Sequence, residues 1–343
     1  MHEGVLSAVS HTPLVRLNRI FKDAPFRVFA KLESLNPGGS IKDRPALSII
    51  RNGIATGAIR AGTVVVESSS GNMGIGLAQV CSYYGLRFIC VIDPKTTQQN
   101  IRILRAYGAE IDLVSEPDPA TGEFLQARID RVQELLATMD NSFWPDQYGN
   151  EFNSRAHHET MREILTALDE EVDYLFCAAS TCGTLRGCAE YVREHGLSTK
   201  IMAVDAKGSV IFGGDKAKRL IPGHGAAVRP QLFRPDFAKD YIHVSDLDCV
   251  VGCRRLVREE AILVGGSSGG VYMALEHVKY KIPAEANCVC IFPDRGERYL
   301  DTIYSDTWVD MHFGDVSHLW QKSTESQLSV KSIEVEKCTT ATF

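Results

Sequence analysis

The 343-residue chain has no apolar run approaching the roughly 18 residues needed to span a bilayer, so a membrane-crossing helix is not expected. It has no basic excess either. With 37 Lys and Arg against 43 Asp and Glu, the net charge of −6 lacks the electrostatic footprint of a nucleic-acid binder. The N-terminal Met1-His2-Glu3-Gly4-Val5 is not the charged-then-apolar start of a secretion signal, and a cytoplasmic protein is expected. Ten cysteines include no CxxC pair, which leaves Cys249 and Cys253 without the partners of a zinc site. Cys288 and Cys290 are expected on opposite faces of a strand, unable to share a metal, and no metal centre is expected. Free, buried thiols in a reducing compartment fit this usage best. Three chemical motifs are also absent. No GxxxxGK[ST] occurs, residues 71–76 read G-x-x-G-x-G rather than the dinucleotide fingerprint, and Arg162 breaks the HExxH that His157-His158-Glu159 could begin. The His157-His158-Glu159 segment is therefore expected on a helix surface, with Arg128 and Arg131 in a helical stretch where charges are normally solvated.

What is present is an ordinary globular composition, 44% hydrophobic and 23% charged, in a chain long enough for two domains or one large one. Strand patterns at 10–17, 28–33, 64–67, 88–92, 111–114, 174–178, 201–204, 262–264 and 289–292 are interleaved with helical patterns at 43–60, 75–84, 99–107, 153–168, 250–260 and 271–277. Strands alternating with helices at this spacing predict parallel βαβ units, hence an α/β fold. Residues 213–235 read as a surface loop, and from about 316 the chain is polar and aperiodic, as a mobile tail would be.

Four strand-to-helix junctions, at 38–42, 68–74, 180–184 and 265–270, carry glycines and small polar residues. In parallel sheets such junctions line the carboxyl edge, where ligands bind, and the free N–H groups of helix starts suit phosphate or carboxylate. The first junction is the most informative. Pro37-Gly38-Gly39-Ser40-Ile41-Lys42-Asp43-Arg44-Pro45 bends sharply and then presents a lysine where the pattern turns helical. A helix N-terminus lowers an amine's pKa, which a nucleophile and base near neutrality requires. A competing reading is the GxSxG elbow of a serine hydrolase at Gly265-Gly266-Ser267-Ser268-Gly269, with Asp294, Asp301, His312 and His318 downstream. That reading leaves the first 190 residues or so without a role.

Thr12-Pro13-Leu14-Val15, Asn36-Pro37-Gly38-Gly39-Ser40-Ile41-Lys42-Asp43-Arg44, Ser70-Gly71-Asn72 and Gly266-Ser267-Ser268-Gly269 occur in an order that closely resembles the cysteine synthase family. The likeness runs from about residue 5 to 315. It implies the tryptophan synthase β-like fold, type II among pyridoxal phosphate enzymes: two domains, each a mostly parallel twisted sheet flanked by helices. Residues 37–145 would form a smaller mobile domain, 1–36 and 146–315 the larger cofactor-binding one, and 316–343 the polar tail. By the same resemblance Lys42 would carry pyridoxal 5'-phosphate and move the substrate's Cα proton. Asn72 would bond the cofactor's phenolic oxygen, and Ser69, Ser70, Gly71 and Asn72 would clasp the substrate carboxylate. Ser180, Thr181, Cys182, Gly183 and Thr184 would hold the cofactor phosphate, and Ser267 would meet the pyridine nitrogen. A neutral hydroxyl there leaves the ring a weaker electron sink, favouring quick loss of a β leaving group.

One departure narrows the resemblance. Where cysteine synthases carry G-T-G-G-T, this chain has Ser180-Thr181-Cys182-Gly183-Thr184, so side chains replace two glycines. The runs 146–151, 204–213 and 293–301 resemble the synthases of N-(2-amino-2-carboxyethyl)-L-glutamate, which feed 2,3-diaminopropionate into siderophores. The implied reaction joins O-phospho-L-serine to L-glutamate. Arg128, Tyr148 and Ser180 are the candidates to hold the dicarboxylic partner, by charge-assisted and hydroxyl hydrogen bonds. Three alternatives stay open: cysteine synthesis from O-phosphoserine or O-acetylserine with sulfide, the hydrolase, and a non-catalytic module that binds another protein's C-terminus. The family also implies a homodimer.

Overall fold

The computed structural model describes residues 3–120, 122–238 and 240–321. Among the described residues ten strands build two sheets. The larger combines β1 (Leu14–Arg16), β2 (Arg27–Leu32), β7 (Tyr174–Ala178), β8 (Lys200–Ala206), β9 (Asp240–Val244) and β10 (Asn287–Phe292) in the order β1-β2-β10-β7-β8-β9, and only the β1–β2 pair is antiparallel. The smaller is all parallel, in the order β5-β4-β3-β6, from β3 (Val64–Ser68), β4 (Arg87–Ile92), β5 (Glu110–Leu113) and β6 (Ser142–Phe143). The α/β architecture of two mostly parallel sheets is the one expected.

Helices cover both faces of each sheet, as parallel strands require. They are α1 (Asp43–Ala55), α2 (Asn72–Tyr84), α3 (Gln98–Ala106), α4 (Phe124–Ala137), α5 (Glu151–Ala167), α6 (Gly183–Glu194), α7 (Asp246–Glu260), α8 (Gly266–Val278) and α9 (Asp306–Phe313). The two faces of the larger sheet show the strand period directly. Cys288, Cys290 and Phe292 pack with Val28, Phe176 and Val204 on one side, while Val289 and Ile291 pack with Leu175 and Ala203 on the other. Cys288 and Cys290 thus share a face, because residues two apart on a strand always do, and the expectation of opposite faces is corrected. All nine described cysteines are buried and free. Burial pushes thiols such as Cys81 and Cys288 up to about 12, so they serve as small core residues.

Other differences have local causes. Residues 262–264 contribute one bridge, Val264 to Arg295, instead of a strand. Strand β9 went unseen because Asp240-Tyr241-Ile242-His243-Val244 is an edge strand, exposed at its start, whose polar alternation looks like loop. Trp320 is buried against the core of the larger sheet, so packing continues past the residue where the tail was expected to begin. The rest of that tail, 322–343, lies outside the described residues.

A buried ionic cluster ties the start of α1 to both layers around it. The Arg44 guanidinium donates to Glu33 at 2.7 and 2.8 Å and to both carboxylate oxygens of Glu163 at 2.8 Å, and the Lys31 ammonium reaches Glu163 at 2.5 Å. Arg44 and Glu33 are almost wholly buried, so each charge depends on its partners. The network joins β2, α1 and α5 two residues beyond Lys42.

Candidate active site

Backbone contacts bring the starts of three helices to one edge. The Ile41 N–H donates to the Pro293 carbonyl at 2.8 Å, and Ser40 bridges Asp294, which sets Lys42 beside the end of β10. Helix α2 packs against this turn through Gly76, where a Cβ would stand 3.0 Å from the Lys42 carbonyl oxygen. The Gly265 N–H donates to the Asp294 carbonyl at 3.2 Å, bringing in α8.

Lys42 occupies the N-cap of α1. Burial lowers its ammonium from the ordinary value, while Cys177, Cys182 and Asp294 pull it part of the way back. The direction is the one expected, and desolvation is its main cause. Asp294 is buried and its carboxyl is raised by burial, against hydrogen bonds from Tyr299 and Asn72. Tyr299 donates its hydroxyl to Asp294 Oδ2 at 2.5 Å, and Asn72 donates Nδ2 to the same oxygen at 2.7 Å.

The turn between β3 and α2 places Ser69, Ser70, Gly71 and Asn72 at the helix start. Ser69 Oγ is committed to the structure, accepting from the Gly74 N–H at 2.9 Å. The Ser70 carbonyl accepts from Asn100 at 3.0 Å, which anchors the turn to α3. Beneath it Glu67 is fully buried, and burial raises its carboxyl to about 8 against hydrogen bonds from Ser68, Gln147 and Trp144.

The turn 180–184 opens α6 with Cys182 at φ +64°, a left-handed conformation that glycine adopts freely and cysteine rarely. The backbone of a glycine loop is therefore kept although glycine is absent. Thr181 Oγ1 accepts from the Gly183 N–H at 3.3 Å and from Asn153 at 3.4 Å. Thr184 Oγ1 lies 3.2 Å from His157 Nε2, and His157 Nδ1 lies 3.2 Å from Thr160 Oγ1. His157 is wholly buried and held well below its ordinary pKa by burial, so it is a neutral brace beneath the turn. The surface position expected for it is corrected: its neighbours on α5, Asn153, Thr160 and Met161, face inward too.

Ser267 is buried in the first turn of α8, and among the described residues its hydroxyl makes no hydrogen bond. This overturns the hydrolase reading. A nucleophile elbow needs a serine on a strained turn between strand and helix with a base beside it. Here the serine is helical, no strand precedes it, its φ is not positive, and His312 packs on Trp308 instead, ring centroids 4.5 Å apart.

Arg128 on α4 is buried rather than solvated, with Nε 3.2 Å from Asp93 Oδ2, and among the described residues neither Nε nor Nη1 has a hydrogen-bond partner. Arg131, one turn on, is partly exposed and pairs with Asp112 at 2.9 Å. Tyr148 is half-buried in the turn before α5. Burial raises its hydroxyl, and the charges of Arg128 and Glu67 both act on it. Reasoning from sequence missed Asn153 and Arg298, and it named Asp294 only as a hydrolase acid. The one signal for Asp294 was its place just past the apolar run of β10, at the ligand edge of the sheet.

Comparison with known proteins shows the family. A family model described as pyridoxal-phosphate dependent enzyme matches residues 5–294. Among solved structures, a hydrogen sulfide-producing enzyme from Fusobacterium nucleatum is 32% identical, covering 88% of this chain and 100% of its own, with a TM-score of 0.82. A cysteine synthase from Entamoeba histolytica is 30% identical over 91% of this chain and 95% of its own, with a TM-score of 0.83. An O-acetylserine dependent cystathionine beta-synthase from Helicobacter pylori is 29% identical over 89% and 99%, with a TM-score of 0.82. The chain thus has the fold of the cysteine synthase-like enzymes, its cofactor is pyridoxal phosphate, and it belongs to the family of pyridoxal-phosphate dependent enzymes.

Proposed function

We propose that this enzyme joins O-phospho-L-serine to L-glutamate by β-replacement, releasing phosphate and forming N-(2-amino-2-carboxyethyl)-L-glutamate, a step toward 2,3-diaminopropionate for a siderophore. The residues fit the cofactor. A lysine with a lowered pKa, a Ser267 hydroxyl that makes no hydrogen bond among the described residues and a helix start at 180–184 supply an amine, a partner for a ring nitrogen and N–H donors for a phosphate. When bound, pyridoxal phosphate supplies the electron-withdrawing ring that acidifies the substrate's Cα–H.

The chain's own residues do the rest. Ser70, Gly71 and the first amides of α2 orient the substrate carboxylate. The Lys42 amine, whose charged form burial disfavours, takes the Cα proton. The Cβ–O bond breaks and phosphate departs with its electron pair. The glutamate nitrogen then forms the new bond to Cβ and loses a proton, and Lys42 returns a proton to Cα. Arg128, with Tyr148 and Ser180, receives the glutamate carboxylates. The same reading makes the protein a cytoplasmic homodimer in which residues 37–145 move as the smaller body against 1–36 and 146–315.

The observation that carries the choice of acceptor is Arg128, a buried guanidinium whose Nη1 has no protein partner. A small nucleophile such as sulfide has no use for it, whereas a carboxylate would complete its hydrogen bonding. Arg128→Ala is expected to raise the KM for glutamate about 10- to 100-fold, the worth of a charge-assisted hydrogen bond, with little change for O-phosphoserine. An unchanged KM for glutamate would refute the assignment. Cysteine synthesis is the second reading, favoured by the likeness to a hydrogen sulfide-producing enzyme and a cysteine synthase. Phosphate release that depends on sulfide and ignores glutamate would select it.

A further inference from the structure

Asn72 is held from the opposite side of the cleft by two charged residues with fixed hydrogen-bonding roles. Its Oδ1 accepts from Arg298 Nη1, and its Nδ2 donates to Asp294 Oδ2 at 2.7 Å. A guanidinium can only donate, and an ionised carboxylate can only accept. Rotating the amide by 180° would place N–H against N–H and oxygen against oxygen, so these partners permit one orientation. In that orientation one hydrogen of Nδ2 remains free.

Both partners are themselves fixed. Asp294 receives the Tyr299 hydroxyl at 2.5 Å and packs so closely on α8 that a Cβ at Gly265 would collide with its Oδ1. Arg298 Nη2 donates to the Gly38 carbonyl at 2.5 Å, in the turn that leads to Lys42. One guanidinium therefore spans the turn before Lys42 and the amide of Asn72. Asn72 begins α2 beside the smaller sheet, whereas Asp294 and Arg298 follow β10 of the larger one.

We propose that Arg298 and Asp294 are positioning residues that lock the Asn72 amide and index it to Lys42, leaving one Asn72 N–H aimed at the cofactor's phenolic oxygen. This rests on the reading that Asn72 meets the cofactor there. Neither residue need touch the cofactor, and their effect on it passes through Asn72.

The test is a double-mutant cycle on cofactor affinity, measured by equilibrium dialysis of the cofactor-free protein and by titrating the visible absorption of bound pyridoxal phosphate. Asn72→Ala and Arg298→Ala are each expected to weaken binding about tenfold. The combined variant is expected to match Asn72→Ala alone to within about twofold, because no amide remains to be positioned. The absorption maximum should move the same way in both single variants, a signature that general loosening of the loop would not produce. Arg298→Lys, which keeps the charge but not the fork, should fall between wild type and Arg298→Ala. If Arg298→Ala does not fold, the cycle is run with Arg298→Lys and the same criterion. Independent losses that multiply in the combined variant, or an Arg298 variant that binds like wild type while Asn72→Ala binds poorly, would overturn the proposal. Wild-type affinity in Asn72→Ala would instead overturn the cofactor-binding role on which it rests.

Discussion

Cys182 gives the sharpest test of how the cofactor-edge turn is built. It sits at φ +64°, and its side chain is 2% exposed in a small cluster with Ala179, Ile211 and Leu232. A residue with a Cβ in this region costs roughly 1–2 kcal/mol relative to its favoured backbone, a cost glycine does not carry. The buried thiol offsets part of it, since a CH2 group and a sulfur removed from water stabilise by about 1–2 kcal/mol. Cys182→Ala keeps the backbone cost and loses the sulfur contacts, so it should destabilise by about 1 kcal/mol. Cys182→Gly loses the whole side chain but relieves the backbone, and should lie within about 1 kcal/mol of wild type. The expected order is wild type near Gly, with Ala below. Urea midpoints of the cofactor-free variants measure it. An Ala variant at least as stable as the Gly variant would refute the argument that the turn keeps a glycine's backbone.

Lys42→Ala should abolish turnover, with a loss of more than about a thousandfold, and eliminate the visible band of the lysine-bound cofactor while leaving the fold intact by circular dichroism. Burial raises the Asp43 carboxyl to about 7, so its neutral form is favoured in the folded chain and its ionised form is penalised. Stability is therefore greatest below about pH 4 for this group and is lost as pH rises through 7, by on the order of 4 kcal/mol; Asp43→Asn should flatten the pH dependence of Tm in that window. Burial alone would raise the Glu163 carboxyl, but Arg44 and Lys31 outweigh it and hold it at about 2, so its contribution is present above about pH 4.5 and fades as pH falls toward 2. Glu163→Ala should cost about 3–5 kcal/mol in urea unfolding at neutral pH, because the buried Lys31 ammonium keeps only the Thr12 carbonyl and Arg44 loses half of its carboxylate partners, and a cost below about 1 kcal/mol would refute the dependence of α1 on this cluster.

What could be read in the sequence was whatever repeats with the period of an element or breaks it with glycine. The strands of both sheet centres were legible because they are short apolar runs buried on both faces, such as Val64–Ser68 and Asn287–Phe292. Of the four edge strands β1 and β5 were legible and the other two were not, because β6 spans two residues and β9 begins with exposed, polar ones. The candidate site divides on the same line. Lys42, Asn72 and Thr181 stand at strand-to-helix junctions and Ser267 in the glycine-rich first turn of α8, where a local pattern marks them. Asp294, Arg298, Asn153 and His157 act by reaching a junction from elsewhere in the chain, over separations as long as the 226 residues between Asn72 and Arg298. Their side-chain types carry no local mark: an arginine next to a glutamate, or a histidine on an amphipathic helix, reads as surface until tertiary packing turns it inward. His157 faces inward only because α5 lies under α6, where a Cβ on Gly187 would collide with the Ser154 carbonyl, so these helices can approach closely only with glycine at that crossing. The residues expected to touch the cofactor are thus written in local motifs, while those that hold them in place are written in the packing between motifs. A search for such holding residues should begin with buried charged groups whose only partners are the motif residues themselves.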